Sequence, residues 1–235
     1  MPMTQQLAEK INKANSVLLT THRQCDGDGL GSELAIYHAL KKIGKSVRIL
    51  NVDGTPKKYD YLNPDELIQY YDGQFDPIGE PDLALIFDTN DRRLIEPLYE
   101  ELEKSCKEIV FVDHHPVLKE GPSPTDGSII DIRAASTGEL AYDIIQALQI
   151  PMDANIARAL YTSIVFDTQL FRYVRNSPRS HEISIELLKY EKKPAEIHRY
   201  LFGNFTAPKL KFIAQSLSKV ELFDDEQLAM LHIKN

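Results

Sequence analysis

The chain has 235 residues, 43% hydrophobic and 26% charged with no biased tract, which suits one large globular domain or one domain plus part of another. Its formal charge, 27 basic minus 35 acidic side chains, is −8, which excludes general attraction to nucleic acid; a phosphate-bearing substrate needs bound cations or local Arg and Lys. Two cysteines, Cys25 and Cys106, give no disulfide framework, no leader-like segment opens the chain, and no apolar run approaches the ~18 residues of a membrane span, so a cytoplasmic protein is expected.

In chain order, Thr4 is placed to cap a first helix carrying Leu7, Ile11 and Ala14 on one face. Ser16–Thr21 reads as a strand ending at His22. The loop His22-Arg-Gln-Cys-Asp-Gly-Asp-Gly follows, then a helix from about Leu30 to Ile43 with Gly44 as its stop. Val47–Val52 is a second strand and leads into Asp53-Gly-Thr-Pro and a segment containing Tyr and Pro. Leu83–Phe87 is a third strand, ending at Asp88, and Ile95–Lys104 is expected to be helical. The fourth strand is the most informative. Ile109-Val-Phe-Val is the kind of short apolar run that is buried on both faces, and it ends in Asp113-His114-His115 before Pro116 blocks continuation.

Beyond a Pro- and Gly-containing loop, Ser128–Ile132 is a short strand, and Ser136-Thr-Gly-Glu forms a capping box that opens a helix to about Leu148. Asp153 caps a helix running through Ile156, Leu160 and Ile164 to Asp167. Phe171–Val174 reads as β-like, Ser177-Pro178 as a helix start with Pro in first position, Pro208–Leu222 as a long helix and Leu228–Ile233 as a last strand. Alternating strands and helices imply an α/β fold, a parallel β-sheet with helices on both faces. The final strand, coming directly after a long helix, suggests a catalytic domain over residues 1–205, a linker helix over 206–223 and, in 224–235, the start of a missing second domain.

Three of the first four strands end in potential ligands: His22 with Asp26 and Asp28, then Asp88, then Asp113-His114-His115. Asp167 adds a carboxylate after an apolar helix. The carboxyl edge of a parallel sheet is where such side chains converge into a site. Two divalent ions about 3.5–4 Å apart need more donors than one, commonly with one carboxylate bridging. Mixed His and carboxylate donors suit Mn²⁺ and could hold Fe²⁺, Co²⁺ or Zn²⁺, whereas Mg²⁺ takes more water and fewer imidazoles. Such a pair gives an acidic protein a means of clamping phosphate.

In order and context, His22-x-x-x-Asp26-x-Asp28, Asp88, Asp113-His114-His115 and Asp167 resemble the four motifs of the DHH phosphoesterases. The chain is most similar to the RecJ-like branch that includes bacterial oligoribonucleases and pAp phosphatases, whose signatures Ser136-Thr-Gly-Glu and Asp167-Thr-x-x-Phe171-Arg172 also resemble. The similarity runs from about residue 10 to about residue 222. It implies one cation held by His22, Asp26 and Asp88, and a second held by Asp28, Asp88, His114 and Asp167, with Asp88 bridging. It further implies that His115 faces the substrate phosphate as a donor, that Asp113 orients the histidines, and that Arg172 contacts substrate.

The implied activity is hydrolysis of short oligoribonucleotides or pAp by hydroxide activated between two divalent cations, Mn²⁺ first and Mg²⁺, Co²⁺, Fe²⁺ or Zn²⁺ as alternatives. Cyclic dinucleotides, polyphosphate and pyrophosphate stand as alternative substrates within the family. The alternative of another class is a catalytically silent metal- or nucleotide-binding module lacking its substrate domain. No long duplex nucleic acid and no membrane are expected as partners, and a homodimer is allowed. Three positions depart from the family pattern: Cys25 where Pro is usual, Gly29 where Ala is frequent and Gln169 where Gly is common. No Gly-rich GGGH-type motif of the family's C-terminal domain is found. His38, His181, His198 and His232 read as packed or surface residues, Lys57-Lys58 as solvated, and Tyr59 and Tyr61 as packing rather than base-stacking residues.

Overall fold

The computed structural model describes residues 2–63, 65–73, 78–203 and 205–232, which fall into two compact units, Met1–Leu201 and Phe202–Asn235. In the first unit six strands form one all-parallel sheet in the order β3-β2-β1-β4-β5-β6. They are β1 (Ser16–Thr21), β2 (Ser46–Asn51), β3 (Ile68–Tyr70), β4 (Leu83–Phe87), β5 (Ile109–Asp113) and β6 (Ile129–Ile130). β4 is buried along its whole length, as a central strand covered on both faces must be. The strand order reverses between β1 and β4, and a crevice opens outside the carboxyl ends of the strands at such a switch point. His22 follows β1, Asp88 follows β4 and Asp113 ends β5, so all three lie at that edge.

Alternation along each strand divides the core. Leu98 and Leu102 of α3 (Leu98–Ser105) pack against Leu18, Leu50 and Ala84 on one face. Tyr99 joins Ile86, Ile95 and Phe111 beside them. The other face carries α2 (Gly27–Lys42), with α4 (Thr137–Ala147) and α5 (Ala154–Asp167) packed around it. α2 and α5 approach so closely that a Cβ on Gly31 would sit 2.5 Å from the Ala159 carbonyl oxygen and 2.9 Å from the Ser163 nitrogen. Both obstacles include backbone, so neither can swing aside.

The helix ends follow local chemistry, and several differ from expectation. α1 (Met3–Lys13) is capped by Pro2, leaving Thr4 inside the helix, and buries Leu7, Ala8 and Ile11. α2 begins three residues before Leu30, because the Asp26 side chain accepts from the Asp28 and Gly29 amides, so Asp28 lies in its first turn. Gly44 does end the helix, at φ +76°. The expected helix over Ile95–Lys104 is split by Pro97 into a 3₁₀ turn (Arg92–Ile95) and α3. β3 lies in the Tyr- and Pro-containing segment where no strand was expected, and only Ile129–Ile130 of Ser128–Ile132 pair as a strand.

Phe171–Val174 is not β-like. Gln169, Leu170 and Phe171 take left-handed backbone angles in succession, which no strand admits. Pro178 precedes α6 (Arg179–Leu187) as its cap residue instead of opening it, and α7 (Pro194–Phe202) completes the run without having been foreseen. The second unit holds α8 (Ala207–Leu217), capped by the Thr206 hydroxyl, and an antiparallel pair, β7 (Glu221–Phe223) with β8 (Leu228–Met230). The helix expected to reach Leu222 thus stops at Leu217, and the expected strand pairs with its own predecessor; Ile233 lies outside the described residues.

Gly31→Ala should lower stability by about 1–3 kcal/mol through overpacking of α2 against α5. A urea titration in which the substituted protein unfolds at the wild-type midpoint would refute that packing account.

Candidate metal centre

The site begins with loops that the sheet edge holds in place. His22, leaving β1, bonds through Nδ1 to the Arg23 carbonyl oxygen at 2.7 Å, which puts the proton on Nδ1 and leaves the Nε2 lone pair 3.5 Å from Asp88 Oδ2. Asp88 sits in a left-handed backbone conformation, φ +61°, directly after β4. Residues with a Cβ adopt this region less readily than glycine, Asp and Asn being the most tolerant of them. The conformation is held by the Asp88 amide, which donates to the Val112 carbonyl oxygen at 3.0 Å, and by Thr137 Oγ1, which donates to Asp88 Oδ1 at 3.0 Å.

Asp28, buried in the first turn of α2, accepts from the amides of Thr137 (2.8 Å) and Gly138 (3.1 Å) at the start of α4 and from the Ser163 hydroxyl of α5. Three helices thus meet on one carboxylate. A Cβ on Gly138 would fall 1.9 Å from Ser163 Oγ, so this position suits only glycine.

Asp113 is fully buried and organises the histidine pair. Its Oδ1 accepts from the His114 amide at 2.8 Å and bonds His115 Nδ1 at 2.9 Å; its Oδ2 accepts from Asn90 Nδ2 at 2.6 Å. Asn90 also donates to the His115 carbonyl oxygen at 3.0 Å, which ties the loop after β4 to the loop after β5. His114 bonds the Ala134 carbonyl oxygen through Nδ1 at 3.2 Å. Its Nε2 is buried and has no hydrogen-bond partner, although Asp28 Oδ2 (3.4 Å), Asp167 Oδ2 (3.5 Å) and Asp88 Oδ1 (3.7 Å) surround it.

All six residues expected as metal ligands therefore converge. Ligand atoms of His22, Asp26 and Asp88 lie within 4.8 Å of one another, as do those of Asp28, His114 and Asp167; a third set joins Asp88, His114 and His115. His115, expected to face substrate, is half-exposed, with Nδ1 on Asp113 and 3.7 Å from Asp88 Oδ1. Arg172 stands apart on the loop after α5, in a cavity that also reaches Asp167.

Crowding of acids sets the electrostatics. Burial, then the neighbouring carboxylates Asp88 and Asp167, hold Asp28 well above the usual carboxylate range despite its three donors. Burial and Asp26 do the same to Asp88, and they push Asp167 up to about 6. Burial lowers His114 to about 4, so its ring is neutral with a free lone pair, whereas the hydrogen bond that His115 donates to Asp113 raises His115 to about 9 and keeps it an imidazolium at neutral pH. The two adjacent rings, 4.3 Å apart, thus take opposite states. Cys25 is buried and pushed up to about 12, first by desolvation and then by Glu33, so it is an inert packed thiol.

Several polar residues at the site are absent from the motif-based reading. Asn90 and Thr137 are the clearest; Asn90 lies two residues past Asp88 and Thr137 within the Ser136-Thr-Gly-Glu signature, but only the fold shows what each touches. Beneath the His22 loop, Glu33 accepts from Asn51 Nδ2 at 2.8 Å, and Asn51 Oδ1 in turn accepts from the Thr21 amide. Among the aromatic residues, Tyr59 is fully buried, and Tyr61 stacks on Tyr200 and bonds Thr162, so both pack as expected. Tyr161 and His198 bond each other, His181 stacks on Phe171, and Lys58 lies over the Tyr59 ring.

The chain belongs to the DHH family: residues 16–164 match the model of the DHH family, N-terminal domain. It is 29% identical over 227 residues to the bifunctional oligoribonuclease and PAP phosphatase NrnA of Thermus thermophilus, covering 92% of this chain and 63% of that protein. It is 24% identical over 243 residues to the probable enzyme of the same name from Streptococcus mutans, covering 94% of this chain and 74% of the relative. The chain thus spans just under two thirds of the Thermus relative's length. The crystal structure of an exopolyphosphatase-related protein from Bacteroides fragilis superposes with a TM-score of 0.87 at 23% identity, over 97% of this chain and 68% of that one. Among the described residues no helix is long and apolar enough to cross a membrane.

Burial raises Glu33 to about 8, with the bond from Asn51 opposing the shift. Because the folded value exceeds the unfolded one, this carboxyl's contribution is complete below the unfolded pKa of about 4.5 and is lost as pH rises through about 8. Glu33→Gln should therefore match wild type in thermal midpoint at pH 5 and exceed it at pH 9; equal midpoints at both values would contradict the burial of a protonated acid.

Proposed function

We propose that the chain is the catalytic part of a phosphoesterase that hydrolyses short nucleotide substrates, oligoribonucleotides or pAp, with two divalent cations. The observation that carries this reading is the unpartnered, buried Nε2 of His114 among three carboxylates. A buried lone pair left unbonded costs about 1–3 kcal/mol, and carboxylates packed together in low dielectric repel. A cation at that point answers both needs. The second triad, His22, Asp26 and Asp88, shares Asp88 with this surround, as a bridging ligand would require.

His22, Asp26 and Asp88 would hold one ion, and Asp28, Asp88, His114 and Asp167 the other. The carbonyl oxygens on the two Nδ1 atoms fix each imidazole with Nε2 inward, the outer support that metal-binding histidines use. When bound, the ions supply Lewis acidity and lower the pKa of a water at the site. The donor set favours Mn²⁺ over Mg²⁺, with Co²⁺, Fe²⁺ and Zn²⁺ also compatible. His115, held protonated by Asp113, would donate to a phosphoryl oxygen, and Arg172 would neutralise further charge.

The crevice around these groups, about 440 Å³, is walled on one side by Leu94, Pro116 and Leu118. An apolar wall beside a phosphate site suits a nucleoside and offers nothing to inorganic polyphosphate or pyrophosphate. The net charge of −8 disfavours long nucleic acid. We also propose that residues 206–223 link toward a substrate-binding domain that residues 224–235 begin, in keeping with the greater length of the Thermus relative. The free thiols Cys25 and Cys106 suit the cytoplasm.

Wild type should bind about two Mn²⁺ per chain and release nucleoside monophosphate from an RNA dinucleotide, or phosphate from pAp, while Asp88→Ala should lose both activity and ions. Two bound ions without turnover on either substrate would favour a silent metal-binding module. Because Asp28, Asp88 and Asp167 are protonated more readily than ordinary acids, Mn²⁺ binding should also expel protons. Calorimetry at pH 7 in buffers of differing ionisation enthalpy should show this, and affinity should fall as pH drops below about 6, the value for Asp167. A buffer-independent heat would count against the crowded-acid account.

A further inference from the structure

The loop between α5 and α6 borders a second cavity of about 510 Å³, within the few hundred to ~1,000 Å³ of ligand sites. Arg172 and Arg175 line it, with Gln169 and Asn176, and it meets the metal-centre crevice at Asp167, which lines both. From Arg92 to Arg179 every other arginine is paired with a carboxylate: Arg92 with Glu103, Arg93 with Asp91, Arg133 with Asp131, Arg158 with Glu191 and Arg179 with Asp143. Among the described residues Arg172 and Arg175 have no such partner. Arg175 makes no ion pair even with Asp167 in the same cavity, although its charge is felt there and at His114.

Arg175 (φ +52°) and Asn176 (φ +55°) both hold left-handed backbone angles. The loop is anchored around them by the Tyr173 amide on the Thr168 carbonyl oxygen and by the Phe171 ring stacked on His181. Two unspent guanidinium groups beside an acid-rich centre match a second anion on the substrate, since the planar guanidinium binds phosphate through two parallel bonds. The crevice's Leu94–Pro116–Leu118 wall offers such an anion nothing.

We infer that Arg175, which no motif marks, is with Arg172 the group that holds the second phosphate of the bisphosphate substrate proposed above, while its other phosphate lies at the cation centre. This rests on the phosphoesterase reading and assigns a recognition residue, not a further substrate, to that same site. It makes Arg175 a determinant of specificity.

The test compares adenosine 3′,5′-bisphosphate with adenosine 3′-monophosphate, with Mn²⁺ present, by turnover and by calorimetric binding, in wild type, Arg175→Ala and Arg175→Lys. Wild type should prefer the bisphosphate. Arg175→Ala should shrink that preference at least tenfold, chiefly through KM, with Arg175→Lys between the two and all three proteins sharing one thermal midpoint. An unchanged preference, or equal losses on both ligands, overturns the inference. Pyrophosphate is the third ligand; a loss there as large as for the bisphosphate would assign the cavity to an inorganic chain and overturn the nucleotide assignment. Should wild type turn over neither nucleotide, the hydrolase reading fails, and the binding preference and its loss in Arg175→Ala still decide the subsite.

Discussion

Carboxylates cannot be gathered in a space without water unless something compensates their mutual repulsion, and around His114 three of them are gathered. Asp28 and Asp88 are buried, Asp167 is half-buried, and each holds its proton more tightly than an ordinary acid. Much of the surrounding architecture serves to keep them there. The start of α4 points two amides at Asp28, the Ser163 hydroxyl of α5 reaches the same side chain, and Thr137 holds Asp88. Gly31 of α2 and Gly138 of α4 have no side chain because α5 must come close enough to make those bonds. Packing and electrostatics are here one constraint. The helices approach in order to satisfy acids that the sheet edge has brought together.

The same constraint separates the two histidines. They are consecutive in sequence and in contact, yet one points its free nitrogen into the acid cluster and the other lies half-exposed on Asp113. Burial keeps the first neutral, and a buried carboxylate keeps the second charged. A lone-pair donor and a proton donor are thereby placed side by side by one strand end.

Much of this was legible in the sequence. Short apolar runs ending in acids and imidazoles identify a parallel sheet and the edge where its ligands collect, because strand periodicity and residue chemistry are both local properties. β1 and β4 fall on the expected residues. What was not legible depends on the third dimension or on one residue's backbone. The start of α2 was misplaced because Gly27, Asp28 and Gly29 are poor helix formers by propensity, and only the Asp26 cap recruits them. Phe171–Val174 looks like a strand by composition, but the chain enters it through three left-handed residues, beginning at Gln169 where a glycine would have signalled the turn. Asn90, Arg175 and the Leu94–Leu118 wall sit outside the motifs, and nothing in their spacing tells which loops will meet.

Asp88 leaves a last consequence. Its left-handed backbone is the conformation that glycine adopts freely, so at this position stability and chemistry favour different residues. A lineage that had stopped using the site would gain by relaxing to glycine, and one that still depends on it must tolerate the strain in every generation. The identity of residue 88 is therefore a record of use. In any descendant or engineered variant of this chain, loss of that aspartate to glycine would mark a protein drifting toward a sturdier fold and away from its chemistry.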